Sequence, residues 1–232
     1  YIDGKPVNAV YAWEFTGLDP KTGFATFKGC SSNEDEVEKS DDPATYLKYV
    51  GPADPRFNGG LSSSLRWKNL TLSAQFAFGF GNYKRLNFIF EGDNKMPSPQ
   101  TNMTKEMLGR WKQEGDQSMI PGLNFSDSND YMICTPDRSA SWKNTYTMYN
   151  YSDARIVKGD FFRCRNLMLS YAVPYQFLRH MGVTAVSLGF NVTNPFTLCS
   201  SRFNGQDPEV SNTGSVALPI TQAYSLSLNV SF

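Results

Sequence analysis

The side chains best equipped for chemistry are thinly spread along this chain. It holds one histidine, His180, and four cysteines: Cys30, Cys134, Cys164 and Cys199. No Cys-x-x-Cys or Cys/His spacing brings them together as a zinc site requires. His180 falls in a short connection and offers no nucleophile–base pair. The carboxylates gather in loops, without the paired arrangement that glycoside hydrolysis uses. The expectation is a protein that is not an enzyme and holds no cofactor and no metal. The acidic run 33–42 lacks the alternating oxygen ligands and central glycine of an EF-hand loop, so it reads as a solvated face. Cys164 lies on a predicted strand and the other three cysteines in predicted loops. Free thiols are the plain reading; a loop disulfide is the other.

The candidate ligand-binding residues are aromatic. Trp142, Tyr146, Tyr149 and Tyr151 cluster at the end of a long non-periodic stretch. Such rings can stack on the faces of sugars, or they can pack the loop that carries them. The residues leave both readings open.

The elements that must position these residues are strands. In Tyr224, Leu226, Leu228, Val230 and Phe232, apolar side chains alternate without a miss with Ser225, Ser227, Asn229 and Ser231. That period of two puts one kind of side chain on each face. The same pattern predicts strands over 7–16, 57–67, 70–80, 160–173 and 183–193. In the third, Leu70, Leu72, Ala74, Phe76, Phe78 and Phe80 oppose small or polar residues. In the fourth, Phe161, Leu167, Leu169 and Tyr171 share a face that Arg163 and Arg165 interrupt. Either these arginines sit at a headgroup level or a bulge near Asn166 resets the register. The stretch 81–159 is largely non-periodic, with one predicted helix over 103–112 capped by Thr101 or Asn102.

The connections alternate long, short, long, short, long. Lys68-Asn69 and the segment 175–182 are the short ones. Short turns on one side and long loops on the other mark an up-and-down barrel in an outer membrane. Composition agrees. Basic and acidic residues cancel at 22 each, and with no basic stripe this points away from nucleic acid. Seventeen Phe, twelve Tyr and four Trp suit the aromatic girdles of such a barrel. No run reaches the roughly 20 apolar residues of a membrane helix. Six strands are too few to close in lipid, so more strands must complete them. Tyr1 starts inside what reads as an ongoing strand, without Met, which predicts an internal start.

Several stretches, taken in order, resemble the C-terminal part of the SusC/RagA class of TonB-dependent outer-membrane transporters of Bacteroidetes. They are Gly4 to Pro20 with Thr22-Gly23, Tyr49 to Gly60, Arg110-Trp111 with Glu114-Gly115-Asp116 and Ile120-Pro121, and Gly159 to Tyr171 with Pro174. Asn194-Pro-Phe-Thr197, Gly205-Gln-Asp-Pro-Glu209 and the terminal Phe complete the set. Cys164 departs from the usual aliphatic residue, and Ala154-Arg155 from Arg-Trp. The resemblance implies an all-β, antiparallel transmembrane barrel of roughly 22 strands, with residues 1–232 supplying about the last six. It implies import of oligosaccharides or peptides, a SusD-like surface lipoprotein as lid, energy from TonB through a plug absent here, and outer-membrane lipid around the strands. It also implies that Phe232 is a barrel-assembly signal. A barrel recruited as a scaffold and a soluble secreted β-sandwich that binds ligands are the alternatives.

Overall fold

The computed structural model describes residues 4–37, 42, 46–89, 100, 103–123, 131–134, 143–179, 182–210 and 218–232. In chain order the strands are β1 (Ala9–Trp13), β2 (Phe15–Leu18), β3 (Ala25–Phe27), β4 (Leu47–Pro52), β5 (Phe57–Trp67), β6 (Leu70–Phe80) and β7 (Tyr83–Arg85). They continue as β8 (Tyr131–Met132), β9 (Lys143–Asn144), β10 (Ile156–Lys158), β11 (Phe161–Ala172), β12 (Ala185–Cys199) and β13 (Ala223–Ser231), with helices α1 (Thr145–Asn150) and α2 (Tyr175–Leu178). The chain divides into two compact units. One comprises 1–53, 83–157 and 211–217; the other comprises 54–82, 158–210 and 218–232.

The second unit is an antiparallel sheet of five strands in the order β13-β12-β11-β6-β5. Its registers carry the alternation of each strand onto the next. Tyr224 opposes Val192, Leu226 opposes Phe190 and Leu228 opposes Leu188. Leu188 and Phe190 in turn oppose Tyr171 and Leu169, and these oppose Leu70 and Leu72. Leu72 and Phe76 oppose Leu65 and Leu61. One face is therefore apolar across all five strands. Leu226 is 78% exposed, Leu65 68%, and the large side chains between them stay open as well. The other face carries Ser62, Ser64, Ser73, Gln75, Ser187, Asn191, Ser225 and Asn229 at the opposed positions. Ser64 and Ser73 hydroxyls lie 3.1 Å apart there. Lys68 takes a left-handed φ of 52° in the two-residue turn between β5 and β6, which matches the twist of a tight hairpin. Asn69 ties that turn to β11 by donating to the Ala172 carbonyl at 2.9 Å.

The interrupted fourth strand resolves as a bulge. Cys164 pairs with Phe76 and Asn166 with Gln75, so Arg165 has no partner on β6. Phe162 and Cys164, not Phe161, continue the apolar face, because the extra residue inverts the alternation on one side of it. Phe162 accordingly stacks on Phe76 at 5.2 Å. Arg163 goes to the polar face. β12 also runs beyond its expected end, through Asn194 and Pro195 to Cys199. Cys199 thus ends a strand and does not lie in a loop.

The first unit corrects the expectation for 7–16 and for the long connections. The stretch 7–16 is not a strand of the large sheet. It forms β1, paired with β4, and β2, paired with β3, with a register shift between Val10 and Tyr11. Its apolar residues part company: Val7 is exposed, Ala12 alone of β1 is buried, and the half-buried Trp13 and Phe15 pack against a core, Phe15 edge-on to Phe27 and Tyr149. The core gathers Phe24, Phe27, Ile89, Met107, Met132, Tyr146, Met148 and Tyr149. Cys30 and Cys134 form a disulfide across 104 residues of sequence. The helix expected over 103–112 is a single 3-10 segment, Lys105–Gly109, without a side-chain cap at Thr104; Thr101 and Asn102 lie outside the described residues. The α-helix of this region is α1, which Asn144 caps by accepting from the Tyr146 and Thr147 N–H groups. Trp111 packs over Gly23, whose φ of 71° and lack of a Cβ allow the ring to lie against it.

Candidate functional site

The loop aromatics do not form one surface. Trp142 lies outside the described residues. Tyr146 and Tyr149 are 2% and 3% exposed and belong to the core of the first unit. Their hydroxyls donate to the Gly122 and Met119 carbonyls, so each ring is a packing element with a satisfied polar end. Tyr151 differs. It follows the end of α1 and is 39% exposed. Trp13 meets it edge-on at 6.4 Å, Phe88 lies at 5.1 Å, and the Arg85 guanidinium sits 4.8 Å from its ring centre. Of the four rings, Tyr151 is the one that combines a described position with an open face. Beside this cluster Lys48 bridges Asp153 at 3.1 Å and Glu14 at 3.5 Å. The hydrogen bond to Asp153 leads the effects that raise the Lys48 pKa. The pair is exposed enough for solvent to screen most of its worth.

The second unit holds a charged network that the strand pattern alone does not disclose. Arg163 is 1% exposed. Its Nη2 reaches Asp207 Oδ1 at 2.5 Å and its Nε reaches Glu209 Oε2 at 2.6 Å; Arg165 Nη2 reaches Glu209 Oε1 at 2.5 Å. Two cations and two carboxylates thus neutralise one another. Asp207 also accepts from the Glu209 N–H at 2.9 Å and the Ile220 N–H at 3.1 Å. Burial alone would raise the Asp207 carboxyl, but the hydrogen bonds from Arg163, Glu209 and Ile220 outweigh it and hold its pKa below the ordinary value. The network pins the connection between β12 and β13 to β11. A cavity of about 450 Å³ lies beside it, lined by Arg163, Asn194, Thr197, Asp207 and Gln222 among others. The Gly205–Glu209 motif and the Arg163/Arg165 interruption are therefore two halves of one structure. The signal available in the sequence was the pair of arginines on an apolar strand, which demand carboxylates from somewhere.

Arg155, one of the two departures from the family pattern, is also buried. It reaches the Glu106 carboxylate and the Asn87 carbonyl. Among the described residues no group of three or more His, Cys, Asp or Glu could hold a metal ion. His180 and residues 38–41 of the acidic run lie outside the described residues. No helix of the described residues is long and apolar enough to cross a membrane, which leaves crossing by strands unaddressed. β5, β6, β11, β12 and β13 together present an exposed apolar face. A face of that extent marks contact with lipid or with another protein.

Comparison with known proteins bears on that face. No protein-family model matches the chain. A TonB-dependent receptor P3 of Formosa agariphila is 23% identical over 216 residues, covering 89% of this chain and 19% of the receptor. The structure of the RagAB peptide importer in its open-open state matches with a TM-score of 0.65 and 22% identity, over 100% of this chain and 24% of that one. The closed-closed state matches with a TM-score of 0.64 and 22% identity, over 96% and 23%. The fold is that of the RagAB importer structures. The resemblance drawn from the motifs is thus met again in sequence and in structure, and these relatives are a receptor and importers, not enzymes. The chain spans about a fifth to a quarter of their length.

Proposed function

We propose that this chain is a section of an outer-membrane TonB-dependent importer, with β5, β6, β11, β12 and β13 as consecutive wall strands of a closed barrel. The observation that carries the reading is the apolar face shared by all five strands, whose large side chains are mostly open to their surroundings, opposite a face of Ser, Asn, Gln and Thr. Lipid satisfies the first face and a wet or plugged lumen the second. The edges of the sheet, β5 and β13, carry backbone groups that must be paired in a bilayer, so further strands close it. A barrel of roughly 22 strands is the size of transporters with a plugged lumen.

The cargo is a peptide or an oligosaccharide, with peptide favoured by the RagAB importers that share the fold. A surface lipoprotein of the SusD kind is the lid and TonB the energy source. The first unit, built from long connections, carries the substrate contacts, as loops on a rigid scaffold commonly do. Tyr151 is the aromatic of that unit most suited to them. Phe232, the exposed terminal ring, is the assembly signal. The test is uptake of labelled oligopeptides and oligosaccharides by cells with and without the gene. The expected result is uptake of one class that depends on the gene and stops when the inner-membrane proton gradient is collapsed. Gene-independent uptake of both classes would sink the proposal.

A further inference from the structure

At the end of the sheet away from the Lys68-Asn69 turn, the apolar face runs into a cavity of about 550 Å³. The end of β6, the start of β11 and the end of β12 form it. Its floor is apolar. Phe162 opposes Phe78 on one side and Leu198 on the other. Phe80, 40% exposed, and Leu198, 62% exposed, line the cavity with Phe162. The rings of the floor are braced by stacking, Phe162 on Phe76 at 5.2 Å and Phe80 on Phe78 at 5.6 Å.

Farther out the lining changes character. Two residues beyond Phe162 and Leu198 come Asp160 and Ser200, and two beyond those come Lys158 and Arg202; all four line the same cavity. Lys158 and Arg202 are exposed. Lys158 has no ion pair among the described residues. Asp160 accepts the Gly81 N–H at 2.6 Å and so ties the end of β6 to the start of β11. Two cations against one carboxylate leave this rim positive. Apolar rings, then a hydroxyl and a carboxylate, then cations: that sequence along the strands is complementary to an anionic lipid, with its chains, its polar linkage and its charged head. A soluble anion would leave the floor uncovered. A neutral apolar molecule would leave the rim without a counter-charge. A lipid phosphate serves both, because an ammonium and a guanidinium can share its oxygens while its chains lie on the rings.

We infer that this groove binds a phosphorylated lipid of the outer leaflet, with Lys158 and Arg202 on the phosphate and Phe80, Phe162 and Leu198 against the chains. The inference rests on the membrane reading of the sheet, with which the groove is continuous. That reading puts the short turns on the periplasmic side, so the groove lies at the outer surface.

The experiment incubates the purified full-length protein in detergent with diphosphoryl lipid A, with the same lipid stripped of its phosphates, and with inorganic phosphate. Native mass spectrometry measures the lipid retained. The phosphorylated lipid is expected to bind at least about tenfold more tightly than the stripped one, since each cation beside an anionic headgroup is worth about fivefold in affinity. Excess inorganic phosphate leaves it bound, because phosphate alone does not cover the floor. Lys158→Gln combined with Arg202→Gln weakens the phosphorylated lipid by about tenfold or more and leaves the stripped lipid unchanged. Lys68→Gln, at the opposite end of the sheet, changes neither. The comparison of the two lipids on the unaltered protein stands even if the double variant does not fold. Equal retention of the two lipids, displacement by inorganic phosphate, or undiminished retention by a folded double variant would overturn the site. A protein that stays folded and soluble without detergent and takes up neither lipid would remove the membrane reading instead.

Discussion

Arg163 shows what a single residue does in this fold. A guanidinium at 1% exposure on a strand of this sheet is tolerable only where its charge is met. Asp207 and Glu209 meet it, and Asp207 takes two backbone N–H groups besides. Asp207→Ala leaves Arg163 and Arg165 sharing the one carboxylate of Glu209 and removes the hub of the connection. The expected cost is about 3–5 kcal/mol, read as a lowered midpoint in denaturant titration of the purified protein. Replacing Arg163 with Met in the same chain should recover part of that loss, because two absent charges are cheaper than one unpaired charge. The pH dependence follows from the depressed Asp207 pKa. A carboxyl with a folded pKa below its unfolded value stabilises above the unfolded value, 3.8, and the contribution fades as pH falls through the lower folded value. Hydrogen exchange at Ile220 and Glu209 should therefore quicken only at strongly acid pH. Unchanged protection there would show that the ion pair does not hold the connection.

At the scale of elements, the long connections turn out to have their own architecture. Short ribbons, a one-and-a-half-turn helix and 3-10 segments would be marginal alone, because each fixes many dihedrals for few hydrogen bonds. The shared core around Tyr146, Met148 and Phe27 holds them, and the Cys30–Cys134 disulfide joins two segments of the unit that are 104 residues apart in sequence. Chain-entropy reasoning puts the stabilisation from a loop of that size at about 4–5 kcal/mol. Cys30→Ser is expected to raise hydrogen exchange throughout α1 and β3 while leaving β11 and β12 protected. A uniform response, or none, would contradict the placement of the disulfide in the first unit's core. The arginine-bearing strand makes a related point. One extra residue, Arg165, changes which side chains reach the apolar face, so a bulge acts as a switch of face as well as a bend.

For the molecule as a whole, the question is what the exposed apolar face touches. If lipid covers it, charge on that face and charge on the polar face must differ in cost. Leu188→Arg is expected to lose about 2–4 kcal/mol of folding in a bilayer, and Ser187→Arg, one residue away on the opposite face, far less. The folded fraction recovered in lipid vesicles, read by heat-dependent gel mobility, measures both. Removal of Phe232 belongs to the same experiment in cells. It should lower the amount assembled in the outer membrane without changing affinity for cargo in the protein that does assemble. Equal tolerance of the two arginines would remove lipid from the reading.

The five wall strands were legible because their signal is local. Alternation in Leu70–Phe80 or Tyr224–Phe232 states both faces within the strand itself, and the turn at Lys68-Asn69 fixes the register of the hairpin next to it. The bulge was half legible, as a pattern broken at Arg163, but its partners Asp207 and Glu209 lie 44 residues on and only folding brings them in. The stretch 7–16 misled for a physical reason: alternation is the same whether the apolar side meets lipid or a small dry core. What the sequence by itself determined is the two-faced sheet, since its period is set by backbone geometry. The disulfide, the burial of Tyr146 and Tyr149 and the salt-bridged anchor were decided by tertiary structure alone, since each depends on contacts between residues far apart in the chain that no local pattern encodes.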